Sequence, residues 1–128
     1  MKSQNQNNKT RAYFLKHRRH QRSFLKTIRN PHFRLNQAIR EGTKWIVYEP
    51  NNEQLWAKTV QSVENFLNSE WRNGALMGTK PEQAYFVKMD RTTMTANDLA
   101  QDKKILSYGV AVTKPAEFID MSILHNES

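Results

Sequence analysis

The chain has 128 residues, of which 38% are hydrophobic, so it has room for one domain with one hydrophobic core. It contains no cysteine, which excludes disulfides and cysteine-based zinc sites. The formal net charge of +8 lies at one end, because residues 1–34 hold 10 Lys and Arg and no acidic residue, whereas residues 35–128 hold 10 Lys and Arg against 12 Asp and Glu.

No part of the sequence indicates a membrane segment or a signal peptide. No apolar run approaches the roughly 20 residues that span a bilayer. The N-terminus "MKSQNQNNKT" lacks the apolar stretch that a signal peptide requires. We therefore expect the chain to be made in the cytoplasm and not to insert into a membrane.

Residues 1–34 form a predicted basic, flexible leader. Residues 1–10 are polar and rich in amide side chains, a composition that favours disorder. Residues 11–29 mix apolar residues with "KHRRHQR", a pattern that permits a basic helix ending at Asn30 and Pro31. Such a helix could bind RNA, an anionic membrane or an acidic protein groove. A solvated charged arm is an equally good interpretation.

Sharper local signals begin at residue 35, where the predicted domain (residues 35–128) starts. The stretch "RLNQAIREG" predicts a short helix that ends at Gly42. Residues 44–49, "KWIVYE", are aromatic and β-branched and predict a strand. Pro50 breaks that run, and Asn51 or Asn52 can cap the helix that follows.

A long helix is predicted over residues 53–73, ending at Gly74. Its apolar residues recur at intervals of three and four, which is typical of one buried stripe. The stripe comprises Trp56, Val60, Val63, Phe66, Leu67 and Trp71. We interpret it as core packing rather than a ligand site. The charged residues off the stripe, expected to meet a partner or water, are Lys58, Glu64, Glu70 and Arg72.

The C-terminal third predicts two strands and a terminal segment that needs a neighbour. Residues 84–90 and 104–114 are the strands, and residues 95–101 begin with the Thr-x-x-Asp pattern of a capped short helix. In residues 115–124 apolar and polar side chains alternate, which indicates a further strand. If the chain's own sheet has no vacancy, this strand is suited to the edge of another subunit's sheet.

The sequence contains no recognisable catalytic constellation. It has no Gly-x-Ser-x-Gly, phosphate-binding glycine loop or HExxH motif. His17 and His20 have a metal-compatible spacing but lie among cations that repel a metal ion. Asp90, Arg91 and Asp98 could serve acid–base chemistry, although such groups more often fix a loop and a helix start. We therefore predict no catalytic residue, no cofactor and no metal, and not an enzyme.

Four stretches in one order resemble the C-terminal domain of contractile tail sheath proteins, which occur in phages, phage-tail-like bacteriocins and related injection systems. The stretches are "EGTKWIVYEPNNEQLW", "VENFLNSEWRNGALMG", "PEQAYFVKMDRTTMTANDL" and "YGVAVTKPAEFIDMSI". The resemblance covers residues 35–124. It implies a structural subunit of a virion tail or contractile particle that is assembled in the bacterial host cytoplasm.

The resemblance also implies which surfaces meet neighbours. Sheath subunits form a homo-oligomer around an inner tube, and their C-terminal domains exchange terminal strands. Residues 115–128 are then the C-terminal arm, with the subunit-binding residues Phe118, Ile119, Met121 and Ile123. The strands that accept an arm contribute Phe86, Val87, Leu106, Tyr108 and Val110. Candidate contacts to an acidic tube surface, which are otherwise solvated, are Lys58, Arg72 and Lys80.

The predicted fold class is α+β. It has a small sheet of three to four strands, packed by one long and one or two short helices, with extended terminal arms. Only 34 residues precede the resemblance, whereas sheath proteins carry outer domains, so we expect a truncated or remnant form. The alternative function is a small basic protein that binds nucleic acid through residues 1–34, with an affinity that falls steeply with salt.

Overall fold

The computed structural model describes residues 31–126. Predictions about residues 1–30, including the basic helix and the pair His17 and His20, lie outside the described residues. Along the described chain the elements are α1 (Pro31–Gly42), a 3₁₀ helix (Lys44–Tyr48), α2 (Glu53–Arg72), α3 (Pro81–Ala84), β1 (Tyr85–Lys88), α4 (Ala96–Ala100), β2 (Lys104–Val110) and β3 (Ile119–His125). In this part of the chain, no helix combines the length and hydrophobicity that crossing a bilayer requires.

The three strands form one antiparallel sheet in the order β1-β2-β3. Strand β2 is central: it pairs with β1 from Ser107 to Val110 and with β3 from Lys104 to Val110. Because side chains alternate along each strand, one face of the sheet carries Leu106, Tyr108 and Val110, all fully buried. The predicted α+β class with a small sheet is confirmed.

Helix α2 has the bounds and the buried stripe that its sequence predicts. The side chain of Asn52 accepts a hydrogen bond from the Leu55 amide at 3.0 Å and caps the N-terminus. At the other end Gly74 has φ +84, and the Ala75 amide donates to the Glu70 carbonyl at 2.9 Å, which is a Schellman C-cap. The predicted stripe packs in the hydrophobic core, so the core-packing interpretation is confirmed.

The strand predicted over residues 44–49 is wrong, because Lys44–Tyr48 is a 3₁₀ helix. The Ile46 amide donates to the Thr43 carbonyl and the Glu49 amide to the Ile46 carbonyl, both at 3.1 Å. Burial does not alternate along the segment: Ile46 is fully buried, whereas Tyr48 is 83% exposed. Packing of Trp45 and Ile46 on the core therefore outweighs the β-propensity of these residue types.

Two short helices frame β1. Helix α3 has Pro81 in its first turn, where a missing amide proton costs nothing. Helix α4 begins with the predicted capping box: the Thr95 hydroxyl accepts from the Asp98 amide, and the Asp98 carboxylate accepts from the Thr95 amide. Strand β1 is shorter than the predicted residues 84–90, because α3 ends at Ala84 before it and the chain turns after it, where the Asp90 carbonyl accepts from the Thr93 amide.

Helix α1 begins at Pro31, ahead of the predicted start at residue 35, and packs on the buried side of the sheet. The Asn36 side chain donates to the Tyr108 hydroxyl at 3.1 Å, which joins α1 to the central strand. Helices α1 and α2 are joined by Arg34, whose two terminal nitrogens each donate to one oxygen of Glu70 at 3.0 Å. This bidentate pair is almost buried, since the side chains are 11% and 8% exposed.

Candidate subunit interface

The C-terminal strand β3 binds β2 along its whole length within the chain. The paired positions run from Val110 opposite Ile119 to Lys104 opposite His125. Ile123 is fully buried, Met121 packs against the core, and Ile119 at the start of the strand is 38% exposed. The segment predicted to seek a partner strand therefore finds one in its own sheet.

The structure brings the predicted arm residues directly onto the predicted accepting residues of β2. Ile123 lies opposite Leu106, Met121 opposite Tyr108 and Ile119 opposite Val110. We call these six residues the strand joint. The Tyr108 hydroxyl lies 3.3 Å from the Met121 sulfur, and burial raises the pKa of Tyr108 to about 12. In this structure β3 comes from the same chain, and binding of a neighbour's β3 at this place stays a prediction.

The two candidate accepting residues of β1 lie on opposite faces of the sheet. Val87 pairs with Tyr108 and packs against the core. Phe86 lies across Gly109 on the other face, where a Cβ added at Gly109 would come within 2.2 Å of the Phe86 ring. Phe118 meets Phe86 edge to face, with centroids 5.2 Å apart. Strand β1 therefore contacts the arm through this aromatic pair, although β2 lies between β1 and β3.

A polar contact that the sequence did not reveal ties the end of β3 to the end of α1. His125 Nε2 lies 2.8 Å from the Thr43 hydroxyl oxygen, and both residues are buried. Opposite His125, the ammonium of Lys104 is buried and binds the Val47 carbonyl and the Asp102 carboxylate, each at 3.1 Å. The alternation of apolar residues at positions 119, 121 and 123 continues to His125, so the sequence pattern already indicated that His125 lies on the buried face of the strand.

The three candidate tube-facing cations lie at different levels of exposure. Arg72, the last residue of α2, and Lys80, which precedes α3, are exposed. Lys58 is half-buried on α2 and already has an interaction within the domain. Glu64 is exposed as expected, but the expectation that Glu70 meets solvent or a partner is wrong. Glu70 is buried because Arg34 binds both of its oxygens.

The predicted ionic cluster of Asp90, Arg91 and Asp98 is used for local structure. The Arg91 side chain leaves the cluster, approaching Glu53 at 3.9 Å and the Trp56 ring at 5.9 Å. The Thr92 hydroxyl donates to Asp90 and lowers the pKa of that carboxyl, and the Thr95 amide does the same for Asp98. Both carboxylates therefore fix a turn and a helix start.

The chain is similar to known proteins over most of its length. The sequence model of the family described as phage tail sheath C-terminal domain matches residues 20–124. A chain in the cryo-EM structure of an extracellular contractile injection system, the PVC sheath complex in the contracted state, has 34% identity and a TM-score of 0.59, and the match covers 67% of this chain and 25% of that chain. A chain of the anti-feeding prophage (AFP) baseplate has 37% identity and a TM-score of 0.59, with 66% and 24% covered. No curated protein sequence matches.

Proposed function

The chain belongs to the phage tail sheath family through its C-terminal domain, and we propose that it is a structural subunit of the sheath of a contractile tail or injection particle. The observation that carries this proposal is the family match over residues 20–124. The neighbour in the PVC sheath complex supports it, since the identity of 34% extends over two thirds of this chain. The chain spans about a quarter of the length of that neighbour, so the proposal concerns the part of a sheath that this domain supplies.

The role we assign requires no catalytic residue. The polar clusters of the described domain are used internally: Arg34 holds Glu70, and the carboxylates of Asp90 and Asp98 hold backbone amides. A stable contact between subunits instead requires many backbone hydrogen bonds and a buried apolar face. The strand joint offers both, and we assign it the link between subunits.

We propose that the link forms by strand exchange, with β3 of one subunit filling the place beside β2 of the next. Residues 111–118 connect the two strands without regular structure, and most of them are exposed. Such a connection spans at most about 28 Å when extended, and exchange of an identical element needs no new contacts. Ala116 within the connection has φ +61, a left-handed conformation that costs a non-glycine residue about 1–2 kcal/mol and favours an extended alternative.

The tube-facing role is proposed for Arg72 and Lys80, with Lys58 as a weaker third contributor. Exposed ion pairs contribute only about 0–1 kcal/mol each, so contacts of this kind can break when a sheath rearranges. With the inner tube protein of the same particle, Arg72→Glu or Lys80→Glu should weaken co-sedimentation at low salt. Lys114→Glu, an equal charge change at another exposed position, should leave it unchanged.

The nucleic-acid alternative depended on residues 1–34, of which residues 1–30 lie outside the described residues. Neither the family match nor the two similar structures favour it. The sheath role is therefore the one we propose for this chain.

Size measurements test this role. Chromatography with light scattering and negative-stain microscopy of the full chain should show oligomers, rings or filaments that grow with concentration. Ile123→Asp places a carboxylate in the strand joint and should abolish them, whereas Ser122→Asp puts the same charge on the exposed face of β3 and should not. A full chain that stays monomeric at all concentrations would contradict assembly through this domain.

A further inference from the structure

The buried contact between Thr43 and His125 lies at the far end of β3 from the connection to β2. Thr43 follows α1 directly and is fully buried, and His125 is 7% exposed as the last residue of the strand. The hydroxyl oxygen and Nε2 are 2.8 Å apart. The sheath role does not require a histidine at this place. We therefore ask what property a titratable ring gives to the end of β3.

The direction of the hydrogen bond follows from the neighbours of Thr43. Its hydroxyl oxygen lies 2.6 Å from the Ile39 carbonyl and 3.3 Å from the Arg40 carbonyl. A carbonyl can only accept, so the single hydroxyl proton is committed to the backbone of α1. The Thr43 oxygen must then accept from His125, whose ring carries its proton on Nε2. In the neutral ring Nδ1 is bare, and acid adds the second proton there, so the Nε2–H donor to Thr43 is kept and acid acts through the charge that the buried ring gains.

The surroundings oppose that second proton. The charged groups that face His125 are Arg40 and Glu41 from α1, Lys44 from the 3₁₀ helix, and Lys104 from β2. Three are cations, of which Lys44 pairs with Glu41 and Lys104 pairs with Asp102. A charged imidazole at this buried position would therefore lose hydration, and its charge would lie among three cations and two carboxylates.

We propose that the Thr43–His125 contact is an acid-sensitive clasp, which holds the end of the C-terminal strand against α1 near neutral pH and releases it when His125 gains a second proton. The clasp works in the same way whether β3 belongs to the same chain or to a neighbour. Its failure would leave the sheath role untouched, and a monomeric chain can still carry it.

The direction of the pH effect follows from the pKa of His125. Burial, followed by the positive charges of Arg40 and Lys44, lowers this pKa from 6.5 to about 4. The released strand carries an ordinary histidine, so it binds more protons than the docked strand between these values. Docking therefore weakens as pH falls below 6.5, by about 30-fold at pH 5, and the loss is complete below the docked pKa of about 4.

Amide hydrogen exchange on the full chain tests the clasp. Protection of β3 amides, corrected for the intrinsic pH dependence of exchange, is compared between pH 7.5 and pH 5.0 with protection of α2 amides. We expect a drop of about 30-fold in β3 and little change in α2. His125→Gln can still donate to Thr43 but does not titrate, so it should remove the drop. His32→Gln, the same change at the opposite end of α1, should keep it.

Three results would overturn the clasp. They are no drop in β3, an equal drop in α2, or an undiminished drop in His125→Gln. Because that variant could fail to fold, nitrogen–proton correlation spectra of the wild-type histidines provide a second test. These spectra should show the Nε2–H form of His125 at neutral pH and a pKa well below 6.5. A Nδ1–H form, or a pKa of 6.5 or above, would contradict the proposal.

Discussion

Helix α2 and strand β3 both bury an apolar face, but they satisfy their backbone groups differently. The bonds of α2 lie inside the helix, and its ends are completed by Asn52 and by the turn at Gly74. The ladder bonds of β3 all go to β2. Helix α2 can therefore satisfy its backbone hydrogen bonds within its own segment, whereas β3 can do so only by pairing with the edge of a sheet. Of the two elements, β3 is the one that can change subunit while keeping the same contacts.

The largest effect is expected where α1 and α2 are joined. Arg34→Met leaves the buried carboxylate of Glu70 without its partner, which costs about 3–5 kcal/mol when a buried pair is broken. Urea denaturation should therefore show a much lower free energy of unfolding. The double variant Arg34→Met, Glu70→Leu removes both charges and should recover most of the loss. A single variant within about 1 kcal/mol of wild type would show that the pair behaves like an exposed one.

A matched pair of core truncations tests the comparison between α2 and β3 itself. Leu67 on α2 and Ile123 on β3 are both fully buried, and truncating either to alanine should cost about 2–5 kcal/mol. Leu67→Ala should lower hydrogen-exchange protection throughout the domain. Ile123→Ala should lower it mainly in β3, since that strand can detach. Equal loss in α2 from both variants would mean that the strand and helix unfold as one unit.

A smaller effect is expected at the start of α2. Asn52→Ala removes the acceptor for the Leu55 amide and should cost about 1 kcal/mol of stability. Asn65→Ala, at an exposed position within the same helix, removes an amide without removing a cap and should not destabilise the domain. The urea concentrations at which the two variants are half unfolded test this difference in stability. Equal midpoints would mean that α2 does not depend on its cap.

The smallest effect concerns the connection before β3. Ala116→Gly relieves a left-handed residue by about 1–2 kcal/mol, but glycine also stabilises the unfolded chain by roughly 0.5–1 kcal/mol, so the net gain should lie between about 0 and 1.5 kcal/mol. It should raise the monomer share in light scattering, because β3 then rests more easily in its own sheet. Ala57→Gly, exposed on α2, should instead destabilise by about 1 kcal/mol. An unchanged monomer share would argue against strain as a cause of exchange.

The sequence predicted α2 and α4 well because their signals are local. Asn52 and Gly74 mark the ends of α2, and its stripe repeats at the helical period. Thr95 and Asp98 form the box that starts α4. The pairing partner of β3 was left open, since alternation reports that a strand has a buried face and says nothing of whose sheet provides it.

The failures share one physical cause, which is contact between segments far apart in sequence. Residues 44–48 have β-propensity, but the core captures Trp45 and Ile46 in a 3₁₀ turn. Glu70 was predicted to face solvent because the sequence of α2 carries no sign of its ion pair with Arg34, which lies 36 positions earlier. His125 is separated from Thr43 by 82 positions, so the clasp could not be read from either segment alone.

The most direct test of the central claim asks whose β3 fills the strand joint. Ser107 and Ser122 lie opposite each other on β2 and β3, and the natural chain has no cysteine. Chains carrying Ser107→Cys and chains carrying Ser122→Cys are mixed and treated with a short bis-maleimide. Strand exchange predicts a dimer linked between the two kinds of chain, and no such dimer when Ser69→Cys, exposed on α2, replaces Ser107→Cys. If cross-linking occurs only within single chains of the double variant Ser107→Cys, Ser122→Cys, β3 remains in its own subunit, which contradicts strand exchange.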